Sequence, residues 1–130
     1  MVSPRLTDSI KYMLGAIYEG GFIDDEYSGH GKLIFADGEV YIGMWKDDKR
    51  NGYGKCTYAN GNVYTGNWKD HNRHGQGKCA WPSGTIYIGN WEDDKLHGDG
   101  TLTYSDGRVS KGTFADNGFV TIDPIHLDNL

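Results

Sequence analysis

Tyr41 to Val63 reads YIGMWKDDKRNGYGKCTYANGNV, and the residues that follow, Tyr64 to Ile86, read YTGNWKDHNRHGQGKCAWPSGTI. Tyr87 to Val109, YIGNWEDDKLHGDGTLTYSDGRV, spells the pattern again, and Tyr18 to Val40, YEGGFIDDEYSGHGKLIFADGEV, is a looser copy upstream. The starts at Tyr18, Tyr41, Tyr64 and Tyr87 define an unbroken 23-residue period. A fixed period of this kind marks a repeat architecture, whose units bury their apolar sides by stacking on one another. Ile10 to Ile17 aligns with the second half of a copy, and Ser110 to Gly118 opens a degenerate fifth, with Gly112 under Gly89 and Phe114 under Trp91. The expected layout is a polar lead (1–9), a half repeat (10–17), and full repeats at 18–40, 41–63, 64–86 and 87–109. A partial repeat (110–118) and an atypical tail or cap (119–130) complete it.

Within a copy the apolar period is two, which is the signature of a strand. Tyr41, Gly43 and Trp45 share one face, as do Gly54, Cys56 and Tyr58 on the next strand. Asp47 to Asn51 reads as a polar loop between them. Asn60-Gly61 is a hairpin signal that returns as Asp37-Gly38, Ser83-Gly84 and Asp106-Gly107, because glycine supplies the positive φ of such turns. The fold expected is all-β: a single-layer, twisted antiparallel β-solenoid with two strands per repeat.

Placing Tyr41 opposite Tyr58 sets Gly43 against Cys56 and Trp45 against Gly54. Across the next turn, Tyr58 then faces Tyr64, Cys56 faces Gly66 and Gly54 faces Trp68. One face carries an aromatic row (Tyr18, Phe35, Tyr41, Tyr58, Tyr64, Trp81, Tyr87, Tyr104), a row alternating glycine with Leu or Cys, and a third row. That third row alternates Phe22, Trp45, Trp68 and Trp91 with glycine, so each indole is expected to lie over a neighbour without a side chain.

The composition suits such a sheet better than a globule. Hydrophobic residues make up 37%, aromatics 13%, and there are 20 glycines with a mean hydropathy of -0.64. The aromatic content excludes a disordered chain. No apolar run approaches the ~18–20 residues of a membrane-spanning helix, and Met1 to Ser9 has no signal-peptide core, which leads us to expect a cytoplasmic chain. Cys56 and Cys79 occupy one column, where Leu33 and Leu102 stand in the flanking copies. With two strands per repeat they are about 10 Å apart, beyond the ~7 Å that a disulfide spans. They read as small apolar positions.

No motif of catalysis emerges, so neither a catalytic nor a cofactor-binding residue is assigned. His30, His74 and His97 share a column with Asn51, and a recurring histidine at a loop exit suits local hydrogen bonding better than catalysis or zinc. The Gly-x-Gly of each copy (Gly52 and Gly54, for example) lacks the third glycine and the helix of a dinucleotide fingerprint. Asp24-Asp25, Asp47-Asp48 and Asp93-Asp94 read as solvated turns. No metal site is expected.

Tyr-x-Gly-x-Trp followed by Gly-x-Gly and a Tyr-x-x-Gly hairpin resembles the MORN repeat (membrane occupation and recognition nexus). The resemblance is close over Tyr18 to Val109 and looser over Ile10 to Gly118, with Phe22 in place of Trp and Phe35 and Trp81 in place of Tyr. It implies a solenoid with an aromatic groove that serves as a protein-interaction scaffold in cytoskeletal, ciliary or membrane-apposed structures. Some such arrays sit beside the catalytic domain of a phosphoinositide kinase or histone methyltransferase.

Charge is uneven. The chain is -5 overall, yet residues 41–86 carry seven lysines and arginines against three acids. Two readings of function follow. In the first, a non-enzymatic scaffold or adaptor takes a partner helix or peptide along the groove, through Tyr41, Trp45, Tyr58, Tyr64, Trp68, Trp81, Tyr87, Trp91 and Tyr104; the same face or an open sheet end also permits self-association. In the second, the array targets an attached enzyme to anionic, phosphoinositide-bearing membranes through Lys46, Lys55, Lys69 and Lys78, on the face away from the aromatics. The acidic total argues against nucleic acid.

Overall fold

The computed structural model describes residues 9–13 and 15–122, with side chains from Gly15 to Thr121. Residues 1–8 of the expected lead and 123–130 of the expected tail lie outside the described residues. Among the described residues, eleven antiparallel strands stand in chain order in one sheet. They are β1 (Ser9–Met13), β2 (Ala16–Ile23), β3 (Glu26–Ile34), β4 (Val40–Lys46), β5 (Lys49–Thr57) and β6 (Val63–Lys69). Then come β7 (Asn72–Ala80), β8 (Ile86–Glu92), β9 (Lys95–Thr103), β10 (Val109–Ala115) and β11 (Gly118–Ile122). Each full copy supplies two strands, so the chain is the single-layer antiparallel β-solenoid that its period implies.

Two kinds of turn alternate. After β5 the chain turns at Asn60-Gly61: Gly61 has φ +95°, its N–H donates to the Tyr58 carbonyl, and the Asn60 side chain accepts from Asn62 N–H. Asp37 and Asp106 serve the same purpose in their copies, as side-chain acceptors do in such turns. The other turn differs from the expected polar loop. Asp47-Asn51 is not a loop, because Lys49 already pairs with Lys46 and only Asp47 and Asp48 make the bend. Both are left-handed, at φ 51° and 66°, which is the geometry of a two-residue hairpin. Aspartate, asparagine and histidine are the non-glycine residues that tolerate it best. Asp24-Asp25, Asp70-His71, Asp93-Asp94 and Asp116-Asn117 repeat the arrangement.

Shortening this turn shifts the register by two residues from the one expected. Tyr41 faces Cys56, not Tyr58; Gly43 faces Gly54, and Trp45 faces Arg50. Across the next turn Cys56 faces Tyr64, Gly54 faces Gly66 and Gly52 faces Trp68. An irregularity between Gly43 and Trp45 takes up the extra residues of β5, and Gly52 sits there at φ +102°.

The glycines therefore make room for tyrosine, not for the indole. Gly43 and Gly54 form a gap one pair wide, and the Tyr41 ring lies over it; a Cβ on Gly54 would overlap the Tyr41 hydroxyl and ring. The Tyr41 hydroxyl donates to the Met44 carbonyl at 2.9 Å, and Tyr64 and Tyr87 do likewise to the Asn67 and Asn90 carbonyls at 2.8 Å. A strand glycine costs ~0.5–1 kcal/mol, less than the ~1.5–3 kcal/mol gained by burying an aromatic side chain. This trade lets a one-layer sheet build a core without a second layer.

Candidate functional site: the aromatic face and its margins

The core is a ladder of rings that runs through the copies. Tyr41 meets Trp45 of its own copy and Trp68 of the next edge-on, at centroid distances of 5.0 and 5.3 Å. Tyr64 meets Trp68 and Trp91 in the same way, and Tyr87 meets Trp91 and Phe114. Edge-to-face contacts at these distances add to simple burial. Each indole also reaches back one copy: Nε1 of Trp45, Trp68 and Trp91 donates to the carbonyls of Gly31, Gly54 and Gly77 at 3.2–3.3 Å. Burial pushes the phenols of Tyr41 and Tyr64 well up, and that of Tyr87 to about 12, so all three stay protonated donors.

Of the residues expected to bind a partner, the ladder closes over Tyr41, Tyr64, Tyr87, Trp45, Trp68 and Trp91, all of them buried by the chain itself. Tyr58, Trp81 and Tyr104 stay partly exposed at the hairpin margin, beside Phe35 in the same column. The expected row of eight aromatics is thus two rows, one inside and one at the rim.

Two arginines complete the aromatic face, and the sequence reading grouped them with the surface charge instead. Arg50 pairs across the strands with Trp45, and its guanidinium lies 4.4 Å from the Trp68 ring centroid and within 6 Å of Tyr41 and Phe35. Arg73 repeats this over Trp91, at 4.5 Å, beside Tyr58 and Tyr64. Tyr27 holds the same column in the first copy, stacked on Tyr18 at 3.8 Å, and Leu96 holds it in the last full one. A signal for this was present: the column spells Tyr, Arg, Arg, Leu, a mixture that a solvated loop has no reason to contain.

The short turns join neighbouring copies. Asp94 N–H donates to the Arg73 carbonyl, and Asp94 Oδ1 accepts from both Arg73 N–H and Arg73 Nε, each at 2.9 Å. Burial raises the Asp94 carboxyl, but the hydrogen bonds and charge of Arg73 outweigh it and hold the group below the usual 3.8. Asp48 bridges to Tyr27 and Asn117 to Leu96 through the same backbone pair. The acidic turns stay exposed as expected, and Asp48 and Asp94 in addition join neighbouring copies. At the second joint His71 replaces the acid, and Arg50 takes its carboxylate partner from Glu39 at 3.2 Å.

Cys56 and Cys79 are buried free thiols. Burial, with the charge of Glu39 and the hydrogen bond to it, pushes Cys56 up to about 12, which makes it unreactive as a thiolate. Among the described residues no group of three His, Cys, Asp or Glu is placed to hold a metal ion. None of the described residues forms a helix long and apolar enough to cross a membrane.

The opposite face carries Lys46, Lys55, Lys69 and Lys78, all exposed and without an ion pair among the described residues. The register runs Lys32, Ile42, Lys55, Thr65, Lys78, Ile88 along this face. Ile42, Met44 and Tyr53 are 42, 40 and 61% exposed there. The large exposed apolar groups in the middle copies lie on the face that the sequence reading left to solvent.

The family model of the MORN repeat matches residues 18–40, 41–63, 64–86 and 87–107. The chain belongs to the MORN-repeat family. No curated protein matches it. MORN repeats are generally modules of protein or membrane interaction rather than catalysts, and they are associated with membrane-related proteins. In this member the aromatic positions of the motif divide between a core ladder and an accessible rim.

Proposed function

We propose that this chain is a non-enzymatic interaction scaffold that binds a partner helix or peptide along the margin of its aromatic face. The observation that carries the reading is the partly exposed column Phe35, Tyr58, Trp81 and Tyr104, spaced one copy apart on a sheet already stiffened by its buried ladder. Aromatic side chains at a rigid, regular spacing anchor partners with little loss of entropy. The buried members of the motif (Tyr41, Trp45, Tyr64, Trp68, Tyr87, Trp91) then act by holding that rim in place. A cytoplasmic, cytoskeleton- or membrane-apposed setting suits such a scaffold, and self-association through the same rim is the homotypic form of the reading.

The test replaces Tyr58, Trp81 and Tyr104 together by Ala and compares capture of partners from lysate with thermal unfolding. The reading expects capture to fall while the chain stays folded. A folded triple variant that captures the same proteins to the same extent contradicts it.

The opposite face favours a second reading, docking on anionic membranes. Ile42, Met44 and Tyr53 stand among unpaired lysines, the mixture that lies at a lipid interface. Co-sedimentation with phosphoinositide vesicles, repeated for a Lys46, Lys55, Lys69 and Lys78→Ala variant, separates the readings. Salt-sensitive pelleting that this variant loses supports the membrane; no pelleting leaves the scaffold alone.

A further inference from the structure

Among the described residues, four joints of the same geometry link the copies at the short turns, and only one of these four is built on a group that titrates in mildly acidic solution. Asp48 binds Tyr27, Asp94 binds Arg73 and Asn117 binds Leu96 through side-chain oxygens. At the second joint the acceptor is the His71 ring. Its Nδ1 receives Arg50 N–H at 3.4 Å and Arg50 Nε at 3.3 Å, while the Arg50 Nη2 donates to the His71 carbonyl and His71 N–H donates to the Arg50 carbonyl.

We propose that the Arg50–His71 contact is an acid-sensitive joint, which loosens between the second and third copies when His71 takes up a proton while the other three joints hold. Both donors aimed at Nδ1 require its lone pair. The folded chain therefore holds the neutral imidazole with its proton on Nε2. A proton on Nδ1 would face a backbone N–H and a guanidinium, with no acceptor between them.

The charges around the ring come from several elements. Arg50 and Lys49 belong to β5, Asp94 to the β8–β9 turn and Asp70 to the ring's own turn; Glu39, in the β3–β4 turn, neutralises Arg50. The Trp45 ring on β4 stands 6.4 Å away. Burial and then Arg50 lower the affinity of His71 for a proton, Lys49 adds to this, and Asp94 opposes it. Because the folded group binds its proton more weakly than the unfolded one, the joint's contribution is whole above the ordinary histidine value of 6.5. It is lost as pH falls from there through the folded value. Loosening also frees Arg50, which lies over Trp68, so mild acid would uncover that part of the aromatic face.

The test is amide hydrogen exchange by NMR at Arg50 and Arg73 from pH 7.5 to 5, corrected for intrinsic exchange, in the full chain and in His71→Asn. Asparagine already fills this position at Asn117, where it makes the backbone contact without a titrating proton. The expected result is exchange at Arg50 that rises severalfold on acidification, with Arg73 unchanged and the rise absent from His71→Asn. Equal pH dependence of Arg50 exchange in the two proteins would overturn the proposal. The imidazole nitrogen shifts of His71 in the unaltered chain give an answer that needs no variant. Nδ1 unprotonated at neutral pH with a midpoint below 6.5 supports the joint; Nδ1 protonated in the folded chain refutes it.

Discussion

Trp68 and Trp81 belong to one copy of the repeat and live in different worlds. Trp68 stands edge-on between Tyr41 and Tyr64, has Arg50 over its ring, and gives its indole N–H to the Gly54 carbonyl. Trp81 takes a place that tyrosine holds in two of the other copies, at the hairpin margin, and stays partly exposed. The sheet has no second layer to decide what is inside. The decision is made by the glycine pair instead: the column whose ring can drop onto Gly66 and Gly77, or their equivalents, becomes core together with the tryptophan beside it. The column at the turn lies along the edge of the ladder and stays only partly buried.

The difference can be broken most sharply by truncating each ring. Trp68→Ala should cost about 4 kcal/mol, in the range for large buried aromatics, whereas Trp81→Ala should cost about 1 kcal/mol and act on partner capture instead. Urea unfolding of the two variants measures both. Comparable losses of stability would erase the division between ladder and rim.

A second experiment addresses the glycines. Gly54→Ala places a methyl group within the Tyr41 ring and should destabilise by about 3 kcal/mol, the upper range for overpacking. Gly38→Ala at the rim meets nothing within 4 Å and has only its φ of +96° to oppose it, which suggests a cost of about 1 kcal/mol. The contrast in urea midpoints separates a glycine kept for space from one kept for conformation. Tyr64→Phe should then cost about 1 kcal/mol, because it removes the part-buried hydrogen bond that the hydroxyl gives the Asn67 carbonyl.

The smallest effect concerns Arg73 and Asp94, which bind across the edge of the ladder. Asp94 is held below its ordinary 3.8 in the fold, so its contribution is whole above that value and is lost as pH falls through the folded one. Asp94→Asn should lower stability by a constant amount from pH 7 to 5 and flatten the curve only in the acid range. A flattening near neutral pH would mean that the group is not held as described.

Much of this was legible in the sequence. The 23-residue period, the alternation of faces and the hairpin at Asn60-Gly61 all stand as read. The register did not. Asp47-Asp48 lacks the glycine that announces a two-residue turn, so the sequence alone extends the loop to Asn51, which displaces the pairings by two residues and that of Trp45, beyond the irregularity, by four. With the tyrosines set opposite one another, the glycines were assigned to the indoles. Nothing in the period distinguishes the ring that is covered from the ring that is not, because both recur at the same spacing. Arg50 and Arg73 were misplaced for a related reason: their charge suggests solvent, while the flat guanidinium fits against an indole as readily as another ring does.

Indole hydrogen exchange bears on the ladder most directly, because each tryptophan carries its own reporter. With the four indole N–H resonances assigned by substitution, those of Trp45, Trp68 and Trp91, bound to the carbonyls of Gly31, Gly54 and Gly77, should exchange slowly and together. That of Trp81 should exchange fast. Exchange at Trp68 as rapid as at Trp81 would show that the ladder is open to solvent and that the aromatic face is not the core of this array.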